Sequence, residues 1–172
     1  MNKKEAIVLI GHGGVPADAP REKIAELKRL EAAREARGEL RMSEREAALD
    51  AEIRNWPRTA ESDPYKAGLE AVAARLERQL APRRLVVAYN EFCAPSVEQA
   101  VADLAAEGYE RILLVTTMFT PGGSHSDREL PELTDLLRRD HPGVEIEYLW
   151  PFDLDLVADF LARHIDRARS ES

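Results

Sequence analysis

The chain is short of cysteine, of positive charge and of long apolar runs, and each shortage removes a class of protein. Cys93 is the single cysteine in 172 residues, so there is no internal disulfide. With no CxxC or paired Cys/His spacing, a zinc ribbon or finger is excluded too. A reducing, cytoplasmic setting is the expectation. Lys and Arg number 24 against 32 Asp and Glu, for a net charge of −8. The two signs are interspersed, which argues against a nucleic-acid or anionic-lipid footprint; a local arginine cluster can still take a small carboxylated ligand. The opening MNKKEAIVLIGHGG has an apolar run that ends in Gly11-His12-Gly13 after about six residues, too soon for a signal peptide or a membrane span. The glycines match neither the P-loop nor the dinucleotide fingerprint, so a nucleotide is disfavoured and no organic cofactor is expected.

What is present reads as one α/β domain. At this length a chain buries its own core without disulfides or structural metal. Four apolar runs rich in β-branched residues predict strands at Ala6 to Ile10, Leu85 to Tyr89, Ile112 to Thr117 and Val144 to Leu149. Helical spacing follows at Pro95 to Glu107, Asp127 to Arg139 and Asp153 to Arg167, with Pro95 placed in a first turn and Gly108 at an exit. This alternation predicts a parallel sheet of about four strands with helices on both faces. Roughly sixty-five residues from Pro16 to Pro82 separate the first two strands, far more than a crossover needs. An inserted helical segment over about 16–62 is the expectation for a single domain spanning 1–172. Ile24, Leu27 and Leu30 mark its first helix and Ser43-x-x-Glu46 a capping box for its second. These two form either a hairpin over the sheet's edge or a surface for another subunit. Asp63-Pro64 then starts the crossover helix, with Leu69, Val72 and Leu76 facing the sheet.

In open α/β sheets ligands bind beyond the carboxyl ends of the strands. Strand one runs into Gly11-His12-Gly13-Gly14, strand two into Asn90-Glu91, and strand three into Phe119 and then Gly122-Gly123-Ser124-His125. Two neutral imidazoles and a carboxylate suit Fe²⁺, Co²⁺, Ni²⁺ or Zn²⁺ and leave positions free for water or a substrate donor. The glycines beside His12 and His125 let a bulky, flat ligand approach the backbone. Taken singly, His12 is as readily a turn residue as a ligand, Glu91 is more readily an ion-pair member, and His125 is a plain helix-start residue. Three such residues at three consecutive strand ends carry the case together. His141 and His164 read as solvated or helix-end residues, and Cys93 as a small buried one.

With these residues in place the chain resembles the class II tetrapyrrole chelatases, the CbiX-type sirohydrochlorin cobaltochelatases and their ferrochelatase relatives. The carriers are Leu9-Ile10-Gly11-His12-Gly13, Ala88-Tyr89-Asn90-Glu91-Phe92 with Ala94-Pro95-Ser96, and the segment FTPGGSHSDRELP from Phe119 to Pro131. Gly14 stands where the family commonly has serine, and Glu129 replaces the usual aspartate before Leu-Pro. The segment after His12 is longer than in short members. The resemblance implies insertion of Co²⁺, Fe²⁺ or Ni²⁺, as a substrate, into a reduced tetrapyrrole such as sirohydrochlorin. His12 and His125 would bind the metal and Glu91 would assist. It further implies that Gly13, Gly14, Asn90, Phe119, Gly123 and Ser124 border the macrocycle and that the chain pairs as a homodimer. Arg21, Arg54, Arg58 and Arg128 are candidates for the macrocycle's anionic substituents. A carrier of metal or tetrapyrrole without turnover would use the same ligands. Phosphoryl transfer through His12 is less attractive, because glycines and no arginine flank it.

Overall fold

The computed structural model describes residues 3–39 and 41–170. β1 (Glu5–Gly11), β2 (Arg84–Tyr89), β3 (Arg111–Thr116) and β4 (Glu145–Tyr148) form one parallel sheet in the order β2-β1-β3-β4. The connections go one way from β1 to β2 and the other way to β3, so a topological switch point falls between β1 and β3, where such sheets open a crevice.

The strand sequences explain why both faces are covered. In β1 the even residues Ala6, Val8 and Ile10 join Ala88, Ile112, Leu114 and Ile146 beneath α4 (Val97–Ala106) and α5 (Leu130–Asp140), with Val97, Val101, Leu104 and Leu137 facing them. The odd residues Ile7 and Leu9 join Leu85 and Tyr89 beneath α3 (Pro64–Leu80), which contributes Leu69 and Ala73. Each fully buried aliphatic side chain contributes about 1.5–3 kcal/mol, so the period-two pattern of β1 fixes its register firmly. Val72 was expected to face the sheet and instead is 54% exposed, with Ala73 packed inward in its place. The 3.6-residue turn carries Leu69, Ala73 and Leu76 onto one face and leaves Val72 beside it.

Between β1 and α3 the chain forms an antiparallel pair, α1 (Arg21–Ala36) and α2 (Glu44–Arg54). Ser43 caps α2 by accepting the Glu46 N–H at 3.2 Å. Glu46 does not close a capping box; it is buried and accepts from Arg34 Nε at 2.8 Å, tying the two helices together. Leu27, Leu49 and Ile53 form a small separate core whose fourth member is Phe92. Asp63 caps α3 through Lys66 N–H at 2.9 Å, with Pro64 opening the helix. Pro95 lies before the N-cap Ser96 of α4 and outside its first turn. α6 (Leu154–Ser170) closes the described chain with no buried residue. Among the described residues no helix is long and apolar enough to cross a membrane.

Candidate metal centre

His12 follows the last residue of β1. A Cβ on Gly11 would overlap Leu69 and crowd Tyr65, so glycine there lets α3 close on the strand end. Tyr65 Oη accepts the His12 backbone N–H at 2.8 Å. The ladder between β1 and β2 then continues past both strands: Asn90 N–H donates to Gly11 O at 2.9 Å and Glu91 N–H to His12 O at 2.8 Å. This extension sets Glu91 beside His12. Gly13 has φ +96°, and a Cβ on it would overlap the Glu91 carbonyl. Its role is therefore the approach of two loops, which corrects the expectation that both glycine clusters admit a flat ligand. Gly122 and Gly123, ahead of His125, do border open space.

Phe92 takes a positive φ of 54°. The turn sends its ring into the hairpin core while Glu91, the residue before it, lines the site cavity. Two arginines from the hairpin segment hold this turn. Arg54 donates to Asn90 O at 2.9 Å and Cys93 O at 3.0 Å. Arg58 donates to Gly14 O at 2.8 Å and to the Phe92 carbonyl, and it is ion-paired with the buried Asp63. Both are thus taken up inside the protein, and their expected place as anionic-substituent partners is corrected. Arg21 borders a separate shallow groove with Val15 and Ile24, which leaves Arg128 at the site.

His125 begins a wide π-helical turn, residues 125–129, in which Leu130 N–H donates to His125 O. Pro131, which follows, has no N–H to continue ordinary α pairing. The buried Ser126 pins the turn by donating to Met118 O at 3.0 Å, and Tyr148 Oη donates to Ser126 O at 3.2 Å. Burial pushes the Tyr148 phenol up to about 12, so it stays a donor. His125 Nδ1 lies 2.6 Å from Glu129 Oε2, a contact that assigns the proton to Nδ1 and leaves the Nε2 lone pair outward. His12 Nδ1 lies 2.9 Å from Gly13 O and is fixed in the same sense.

One ligand atom each from His12, Glu91 and His125 falls within 4.8 Å of the others. His125 Nε2 stands 3.6 Å from Glu91 Oε1, and the two imidazoles meet edge to face with centroids 4.8 Å apart. Donors about 2.1 Å from one tetrahedral ion are roughly 3.4 Å apart, so small side-chain rotations bring all three onto a single cation. The group borders an open cavity of about 450 Å³ that Lys28, Glu31, Ser124, Arg128 and Glu129 also line. A larger hollow of about 880 Å³ at the opposite edge of the sheet is lined by Lys3, Lys4, Arg83, Arg84 and Arg111 with Glu5 and Glu145, and it has no share in this cluster.

Of the expected macrocycle contacts, Ser124 lines the cavity. Asn90 sits behind it, its Nδ2 3.4 Å from Glu129 Oε2 and 3.1 Å from His125 Nδ1. Gly13 is buried against Glu91, Gly14 packs near Asp63, Phe119 is 38% exposed, and neither Phe119 nor Gly123 lines the cavity. Lys28 escaped the sequence reading, and Glu129 was singled out there only as a departure from the family pattern, without a place at the site. The i,i+4 interval from His125 was the signal for Glu129, whereas Lys28 reaches the site only through the docking of α1.

A family model, CbiX, matches residues 60–168, and the chain belongs to that family. Glu91 and His125 fall inside the matched span and His12 precedes it. No curated protein matches significantly. Among solved structures, the fold resembles that of a Marinobacter aquaeolei VT8 protein described as CbiX of cobalamin (vitamin B12) biosynthesis. That likeness has a TM-score of 0.54 and 16% identity, over 96% of this chain and 98% of that one. The sirohydrochlorin chelatase SirB of Bacillus subtilis subspecies spizizenii, in complex with cobalt, is similar with a TM-score of 0.50 and 18% identity. This chain is covered over 95% and spans 50% of the SirB chain.

Proposed function

We propose that the protein is a metal chelatase that inserts a divalent ion, Co²⁺, Fe²⁺ or Ni²⁺, into a reduced tetrapyrrole of the sirohydrochlorin type. The reading rests on one observation above all: two imidazoles with outward Nε2 lone pairs and one carboxylate share an open cavity at the switch point of a CbiX-family sheet. Such a set binds a divalent ion while leaving coordination positions for an incoming nitrogen ligand. The SirB chelatase adds support, as a similar fold solved with cobalt. The chain acts as one domain, 1–172, in which the segment 16–62 is an insertion that walls the cavity. Its working place is the cytoplasm and its assembly a homodimer.

Metal entry removes two protons from the pyrrole nitrogens and water from the ion. His12 and His125 hold the cation, and Glu91 offsets its charge or takes one proton. The second proton goes to a histidine freed as the metal leaves. Glu129 keeps His125 in the tautomer that offers Nε2. Lys28 and Arg128 stand at the cavity wall where the macrocycle's carboxylates would lie, and Ser124 borders its approach.

The test is anaerobic absorbance of sirohydrochlorin mixed separately with Co²⁺, Fe²⁺ and Ni²⁺, with and without protein. Acceleration over the protein-free rate that disappears in His125→Ala is the expected result, and it ranks the metals. Tight metal or tetrapyrrole binding without acceleration would replace the reading with that of a carrier. Lys28→Ala should raise KM for the tetrapyrrole several-fold with kcat nearly unchanged; an unaltered KM would remove Lys28 from the substrate contacts.

A further inference from the structure

The shallow groove that Arg21 borders and the metal cavity meet at one residue. The two hollows, of about 400 Å³ and about 450 Å³, have Lys28 in common as a wall, and α1 runs along both. Arg21, Ala25, Lys28 and Ala32 follow one another at i, i+4, i+7 and i+11 and therefore form one stripe of that helix. Arg21 and Ala25 line the groove, Ala32 lines the metal cavity, and Lys28 lines both. Beside the stripe Ile24 is half-buried, and Val15, on the loop that leaves His12, is 37% exposed. The loop is held in place by its own backbone: Ala17 N–H donates to Ser62 O at 2.8 Å and Ala19 N–H to Pro16 O at 3.1 Å.

The stripe carries two cations that the protein itself does not use. Lys23, on a neighbouring face of α1, is ion-paired with Glu52. Among the described residues Arg21 and Lys28 have no carboxylate partner, and Lys28 Nζ lies 5.5 Å from the centre of the Phe92 ring. Two helical turns separate the pair, about 10 Å along the axis, the width of a four-ring plane. The alanines of the stripe keep the wall low between and beyond them. Arg21 is also the first residue of α1, where the helix dipole favours a negative partner. Farther along the helix Glu31 lines the metal cavity together with Glu91 and Glu129. The sign of the wall thus changes along α1, positive over the groove and negative beside the metal ligands.

We infer that the reduced tetrapyrrole lies along α1, its centre at the three metal ligands and its outer edge on the shelf of Val15, Ile24 and Ala25. Arg21 and Lys28 each take one peripheral carboxylate, from neighbouring rings. This placement rests on the chelatase reading above and deepens it, because it makes the inserted segment the part of the protein that selects a macrocycle by the spacing of its carboxylates. Each hollow alone stands toward the lower end of the roughly 300–1,000 Å³ that small-molecule sites span, and a four-ring ligand with charged side chains calls for both. The apolar shelf suits the face of the ring and the two cations suit its rim, so the chemistry of the groove matches the amphipathic plan of the ligand.

Anaerobic fluorescence titration of metal-free sirohydrochlorin into the full chain tests the placement. Arg21→Ala should weaken binding about fivefold, the scale of one exposed ion pair, and Val15→Asp at least as much. Arg21→Lys should restore most of the loss, since a single peripheral carboxylate needs the charge more than the guanidinium fork. Both side chains are exposed, and a melting curve should show the fold intact in each variant. Co²⁺ affinity by calorimetric titration should be unchanged throughout, because none of these residues is a metal ligand. The methyl ester of sirohydrochlorin should bind the wild type more weakly and be indifferent to Arg21→Ala. A wild type that fails to bind sirohydrochlorin would overturn the chelatase reading and the placement together. Wild-type affinity in either Arg21→Ala or Val15→Asp would overturn the placement along α1 and leave the chelatase reading standing. An ester as sensitive to Arg21→Ala as the free acid would overturn the carboxylate pairing.

Discussion

At the scale of single residues, the site depends on groups that no ligand touches. Glu129 decides which nitrogen of His125 carries the proton, and Asn90 steadies that carboxylate. Removing such a partner characteristically costs about 10–100-fold in metal affinity or activity. Glu129→Gln should therefore weaken Co²⁺ binding on that scale while leaving the thermal midpoint nearly unchanged, as read by calorimetric titration beside a melt; full affinity in the variant would remove Glu129 from this role. Arg58 belongs to the opposite category, a residue whose loss the whole fold feels. Its partner Asp63 is 2% exposed, and stranding a buried charge costs about 3–5 kcal/mol. Arg58→Met should lower the urea midpoint accordingly, and a midpoint within error of the wild type would contradict the pairing. His12, Glu91 and His125 were legible in the sequence because strand ends are where such sheets place chemistry. The destinations of Arg54 and Arg58 were not, because a guanidinium that binds main-chain carbonyls leaves no periodic mark.

At the scale of elements, the hairpin of α1 and α2 acts on the site through Phe92. That ring completes the core made by Leu27, Leu49 and Ile53, and the residue before it is Glu91. Ile53 is fully buried, so Ile53→Ala should cost about 2–5 kcal/mol and loosen the Glu91 turn as well. The expected outcome is a lower unfolding midpoint together with reduced metal affinity; a loss of stability with affinity intact would mean that the hairpin only covers the sheet. The four strands were readable from β-branched runs, and the caps Ser43 and Asp63 from residue type alone. The inward choice of Ala73 over Val72 was not, because hydrophobicity ranks valine higher and only helical phase decides. The wide turn at His125 was also hidden, since Pro131 marks an interruption without revealing which way the chain winds before it.

At the scale of the whole molecule, burial sets the response to alkali. Desolvation raises the Cys93 thiol above its ordinary value of 9.0 and raises the Tyr89 phenol above 10.0. In the unfolded chain both groups lose protons at their ordinary values, whereas the folded chain keeps them longer. Stability from this source is complete below about pH 9 and falls as pH rises above it. The urea midpoint should thus be lower at about pH 10 than at about pH 8, and Cys93→Ala should reduce the difference; a flat profile would contradict the burial of both groups.

The claim on which the rest stands is that three strand ends place two imidazoles and a carboxylate on one metal ion. Anaerobic X-ray absorption of the Co²⁺-loaded protein, compared with His12→Ala and His125→Ala, tests it most directly. Two histidine ligands in the wild type and one in each variant is the predicted result. Histidine scattering unchanged in both variants would place the metal elsewhere and contradict the account.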